Sequence, residues 1–247
     1  MSTKEEINWK NQINLGNILI QRSSKILLLQ NIGLIIPAIT YWIFDPLILK
    51  LVPLILLMDI IGFFLLGIGF FFLGKINEET EKNGKYILLM SCAWVFLTML
   101  WRGGSIYNLL ELILDTPSIT LFELWVPSLF LLILIIYKIK KVLSVLEDEV
   151  NTTIYNLYLV STLVFLALFI LLLIEIGNLQ PTGTGEVFLL PPPPIFRLLL
   201  LLAFLMFLKT VIITIIGSIM FNTLGYDVLL IIARLPDSIE TSDLKTN

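Results

Sequence analysis

Two charged side chains stand where charge is most costly. Asp59 and Lys209 each lie in a long apolar run, roughly a dozen residues from either end. At the rise of an α-helix that is about 18 Å from the nearest polar boundary, too far for a side chain to snorkel. Turned toward lipid, either charge would cost at least ~2.5–3.5 kcal/mol, so both are expected to face the interior of a helical bundle. They are opposite in sign and similar in depth. They are therefore expected to pair, or to share one polar cavity, with their two helices packed side by side.

Such a pair has three readings. It can be a buried salt bridge that fixes helix register. Asp59 can instead be neutral and hydrogen-bonded to a neighbour, its charge suppressed by desolvation. Or the two groups can form the polar centre of an ion or small-solute path. Four glycines follow Asp59 in the same run. Gly62 and Gly69 fall seven apart on one flank, and Gly67 and Gly74 seven apart on the other. Small residues at this spacing let neighbouring backbones approach closely.

No other residue set offers chemistry. The chain of 247 residues contains no histidine. That excludes bis-His haem, the HExxH zinc proteases and Ser-His hydrolases. Its single cysteine, Cys92, lies in an apolar run and is expected to be a small buried packing residue. Thr223–Asp227, TLGYD, resembles a potassium-channel filter, but it lacks the pore helix before it and the inner helix after it that a filter needs. A lipid-modifying enzyme would need acids, histidines or arginines clustered beside a membrane surface. Only Glu147-Asp148-Glu149 comes near, and a solvated face explains it. No cofactor, metal or nucleic acid is expected.

The elements that position these groups follow from hydropathy. Hydrophobic residues make up 57% of the chain and charged residues only 14%, which no soluble fold of this length can accommodate. Six apolar runs have membrane-spanning length. They cover about residues 26–44, 51–74, 86–101, 121–137, 157–177 and 196–221. The expected fold is all-α: one bundle of six transmembrane helices, with no separate soluble domain. Residues 1–25 are a polar N-terminal segment, and residues 222–247 a tail with a short interfacial helix. The first apolar run is expected to be a retained helix rather than a removed signal peptide. Tyr86, Trp101, Trp125, Tyr137 and Tyr158 fall near span ends, where amphipathic rings favour the headgroup zone.

Charge fixes the orientation. With six spans and the N-terminus inside, twelve of the sixteen Lys and Arg residues fall on inside segments and three on outside turns, with Lys209 in the sixth span. That asymmetry places both termini in the cytoplasm of a multi-pass cell-membrane protein. Gly103–Thr120 reads as an amphipathic or re-entrant helix on the outer surface, and Pro191–Pro194 as a stiff polyproline lead-in to the sixth span. Residues 137–156 read as a helical extension of the fourth span or an interfacial helix. The sequence thus points to a non-enzymatic accessory or structural subunit of a membrane complex. The alternative is a small-solute or ion permease built on Asp59 and Lys209. The partners implied are the lipid bilayer, other membrane subunits or further copies of the chain.

Overall fold

A computed structural model describes residues 3–40, 46–111, 120–147, 150, 152–178 and 193–234. They form α1 (Thr3–Thr40), α2 (Pro46–Leu73), a 3-10 turn (Gly74–Ile76), α3 (Glu78–Glu111), α4 (Thr120–Leu146), α5 (Thr153–Asn178) and α6 (Pro193–Arg234). There is no strand among them. Three stretches are long and apolar enough to cross a membrane: Leu57–Ile76, Glu78–Leu100 and Val211–Arg234. Each helix packs on its neighbours in sequence, and α6 closes the ring against α1.

The helices run further than the spans read from the sequence. α1 does not break at residue 25 but is helical from Thr3. Its polar half stays helical because it has a helix to lie against. Gly16 packs on Gly69, Trp9 Nε1 donates to the Lys75 carbonyl at 3.0 Å, and Lys75 Nζ donates to Gln12 Oε1 at 2.8 Å. α6 likewise continues without a break from Phe221 to Arg234, so its last turns are not a separate interfacial helix. α3 runs on to Glu111, and α4 extends the fourth span to Leu146. Residues 41–45 and 112–119, the first half of the proline run and the tail beyond Arg234 lie outside the described residues.

α2 is the hub. Asp59, Phe63, Leu66, Phe70 and Leu73 recur at spacings of four and three, which is one helical stripe. All five are buried. The glycines flank this stripe. A Cβ built on Gly62 would lie 2.6 Å from Leu27 Cδ2, and one on Gly69 would lie 2.6 Å from Ile20 Cγ1, both on α1. On the other flank, a Cβ on Gly67 would lie 2.8 Å from Ser91 Cβ, and one on Gly74 would lie 2.7 Å from the Thr80 carbonyl oxygen, both on α3. Ser23 Oγ also donates to the Gly62 carbonyl at 2.8 Å, a buried bond that only this close approach permits.

The turn from α2 to α3 is tight for a local reason. Asn77 is extended, at φ −150° and ψ 167°, and its Oδ1 accepts the Thr80 backbone N–H at 2.8 Å. Thr80 Oγ1 accepts the Asn77 N–H at 3.2 Å and donates to the Gly74 carbonyl at 2.8 Å. This is reciprocal N-capping, and it also closes the end of the preceding turn.

Two sequence expectations are corrected. Cys92 is exposed on α3, on the outward side with Leu89, Phe96 and Met99. Tyr158 is buried rather than placed as a headgroup anchor. The reason is common to both. Lipid is as apolar as a helix interface, so an apolar run does not say which of its faces turns inward.

Gly69→Leu forces α1 away from α2 and should lower stability by about 1–3 kcal/mol, the usual penalty of overpacking. Gly225→Ala is the control, because a Cβ there meets nothing closer than Ser24 Cβ at 3.8 Å. Unfolding in mixed detergent, followed by circular dichroism, should separate the two variants. Equal midpoints would mean that the α1–α2 crossing is not tight.

Candidate functional site

Three helices bring polar groups, and a fourth a glycine, to one region of the bundle. α2 contributes Asp59, which is 4% exposed. α5 contributes Tyr158, at 5% exposure, and the Asp59 carboxylate stands close enough to act on its hydroxyl electrostatically. α1 contributes Asn31 and α6 contributes Gly217. A Cβ built on Gly217 would lie 3.2 Å from both Asn31 Nδ2 and Tyr158 Cε2, so the missing side chain is what lets the carboxamide and the phenol reach the same spot.

The helices place these groups by simple periodicity. On α5, Tyr155, Leu159, Thr162 and Leu166 form the buried stripe, and Tyr158 borders it. Ser161 Oγ and Thr162 Oγ1 both donate to the Tyr158 carbonyl, at 2.9 and 2.7 Å. These hydroxyls are thereby satisfied within their own helix, as is usual for Ser and Thr in helices. On α6, Ser218 Oγ does the same toward the Thr214 carbonyl at 2.8 Å.

One turn along α2 from Asp59 the interior is closed by aromatic rings. Phe63 meets Trp94 of α3 with centroids 4.3 Å apart and Phe221 of α6 at 6.1 Å, the latter edge to face. Leu66, Phe70 and Leu73 are fully buried beyond them. Asp59 is thus screened from the polar end of the bundle by several layers of apolar side chain.

Lys209 stands on α6, eight residues before Gly217, about 12 Å along the helix axis. Its side chain lies outside the described ones. Among the described side chains the Tyr158 hydroxyl is one group within electrostatic reach of Asp59. Asn31 is a polar residue in an apolar run, and nothing local in the sequence ties it to Tyr158. Tyr158 carried no such signal, since a tyrosine near a span end reads equally well as an interfacial anchor.

The polar end of the bundle is a second, different constellation. Lys138 Nζ of α4 donates to Asn83 Oδ1 at 3.1 Å and lies 5.2 Å from the centre of the Tyr86 ring. Lys141 pairs with Glu79 at 3.1 Å, and Arg234 with Glu147 at 2.6 Å. Lys140 Nζ donates to Asn156 Oδ1 at 2.7 Å, and the Tyr155 hydroxyl donates to Asp227 Oδ2 at 2.7 Å. These bonds join α3 to α4, α4 to α5, α5 to α6 and α6 back to the end of α4. Exposed pairs contribute about 0–1 kcal/mol each, so together they align the helix ends more than they stabilise them. The described residues include no group of three or more Cys, Asp or Glu side chains arranged to hold a metal ion.

The Asp59 and Tyr158 side chains should be energetically coupled. Asp59→Leu and Tyr158→Phe should each cost about 1–3 kcal/mol, the range for orphaning a buried polar partner. The double variant should fall short of their sum by at least ~0.5 kcal/mol. Simple additivity in detergent unfolding would dissociate the two groups. The same cycle run with Lys209→Leu tests whether the lysine reaches Asp59.

No family model, curated protein or solved structure matches the chain.

Proposed function

We propose that the chain is a non-enzymatic, multi-pass integral membrane protein that works as an accessory or structural subunit of a membrane complex. One observation carries this reading: Asp59, a carboxylate at 4% exposure, lies within electrostatic reach of the Tyr158 hydroxyl, with the Phe63, Trp94 and Phe221 rings closing the interior one turn along. We read a carboxylate so placed as one that holds helices in register. It has no described route to water along the bundle axis toward the polar end.

All six helices are read as spans in the cell membrane, with both termini cytoplasmic. Support comes from the gathering of Lys75, Lys138, Lys140 and Lys141 at one end of the bundle, together with the start of α1 and the end of α6. Positive charge concentrated on one side marks the cytoplasmic face.

A permease is the second reading. It is favoured by the burial of Asp59 and by the gathering of Asn31 and Gly217 around Tyr158, which Asp59 reaches electrostatically, since intramembrane ionisable groups commonly serve ion or proton coupling. In that case Lys209 is the candidate counter-charge.

Purification from the native membrane in mild detergent, with the mass of the intact particle, decides between them. A stoichiometric second protein is the expected result. A lone monomer or homo-oligomer that carries flux in liposomes, with Asp59→Asn reducing that flux at least ten-fold, the lower range for losing one proton-transfer group, would establish the permease instead.

A further inference from the structure

A groove of about 230 Å³ runs between α1 and α6 on the outside of the bundle. Its polar lining is Gln21, Ser24 and Lys25 from α1 with Asn222 and Tyr226 from α6. We propose that this groove binds the headgroup phosphate of an anionic phospholipid.

Three observations converge on that ligand. The first is charge. Lys25 is exposed, and among the described residues no carboxylate pairs with it. The one carboxylate nearby on α6, Asp227, is turned to Tyr155 of α5. The second is an unused donor. The Ser24 hydroxyl is buried and has no hydrogen-bond partner among the described residues. A phosphate accepts from a lysine ammonium, a hydroxyl and the amide N–H groups of Gln21 and Asn222 alike.

The third is depth. The outward surface of α3 changes from Lys82 and Lys85 to Tyr86 and Leu89, which marks the polar boundary. The contacts of Gly84 with Phe70, and of Gly69 with Gly16 and Ile20, carry that boundary to about residue 18 of α1. Lys25 therefore lies about two turns deeper. A lysine at that depth must snorkel outward or be met by an anion.

The size of the groove suits a headgroup and not a whole lipid. It is smaller than the ~300–1,000 Å³ of pockets that enclose a drug-sized ligand. The acyl chains would stay in the bilayer beside Leu28 and Phe221. Gly225 keeps the groove open, since it projects no side chain into it. Basic pockets between transmembrane helices on the cytoplasmic side are a known means of binding lipid headgroups.

The test uses the full chain in mixed-lipid nanodiscs, released into the gas phase for native mass spectrometry. Wild type should retain phosphatidylglycerol over phosphatidylcholine by about five-fold, the worth of one lysine near an anionic surface. Lys25→Gln should abolish the preference. So should Gly225→Leu, which fills the groove and leaves every charge in place. Lys82→Gln, an exposed lysine on α3, should keep it.

Equal loss in Lys82→Gln, or full retention in Gly225→Leu, would mean diffuse surface attraction and would overturn the site. Soluble glycerol phosphate provides the last arm. If it alone displaces the retained phosphatidylglycerol at millimolar concentration, the groove is a site for free anions and the lipid assignment fails.

Discussion

Inside a bilayer, helices gain nothing by hiding apolar side chains from one another, because lipid is equally apolar. What holds them is close backbone approach and the few hydrogen bonds that approach allows. α2 supplies both. Its glycines admit Leu27 and Ile20 on one side and Ser91 and Thr80 on the other, and its Gly62 carbonyl receives the Ser23 hydroxyl. Remove that proximity and the buried stripe from Asp59 to Leu73 has nothing to pack into. The order of the ring, with α1 and α3 on either side of α2, follows from which flank each pair of glycines occupies.

The polar end obeys a different logic. There water competes for every donor, and single ion pairs contribute little. Their arrangement still matters, because each joins elements distant in sequence: Arg234 to Glu147, Lys141 to Glu79, Lys75 to Gln12. The lysines gathered at this end thus align the helix ends. Toward the middle of the bundle polar groups are fewer and more deeply buried, and they meet across α1, α2, α5 and α6 rather than at one interface. That difference is why the proposed structural role rests on Asp59 and not on the more numerous charges outside.

The helical class was legible in the sequence because run length and composition answer it directly. The two glycine flanks were also legible, since a spacing of seven returns to one face of a helix. The ends of α1 and α6 were not. Polar and charged residues crowd the chain before residue 26, and Asn222, Thr223 and Asp227 interrupt the apolar run after residue 221, whereas helicity depends on what the backbone lies against, and both segments lie against a neighbour. Nor could the sequence tell inward from outward faces. Tyr158 and Cys92 exchanged their expected places because both faces of a membrane helix are apolar. Asn31 and Gly217 became part of the site only through the third dimension, each being unremarkable within its own helix.

α6 extends for 42 residues without interruption, which is about 63 Å of helix, well beyond the ~30 Å thickness of a hydrocarbon core. Such a rod does not bend to serve its parts separately. Gly217, opposite the Asp59 cluster, and Gly225, in the outer groove, are eight residues apart on it. Any rocking that widens the groove against α1 must also shift Gly217 against Tyr158. The two regions are therefore mechanically one, carried on a single helix.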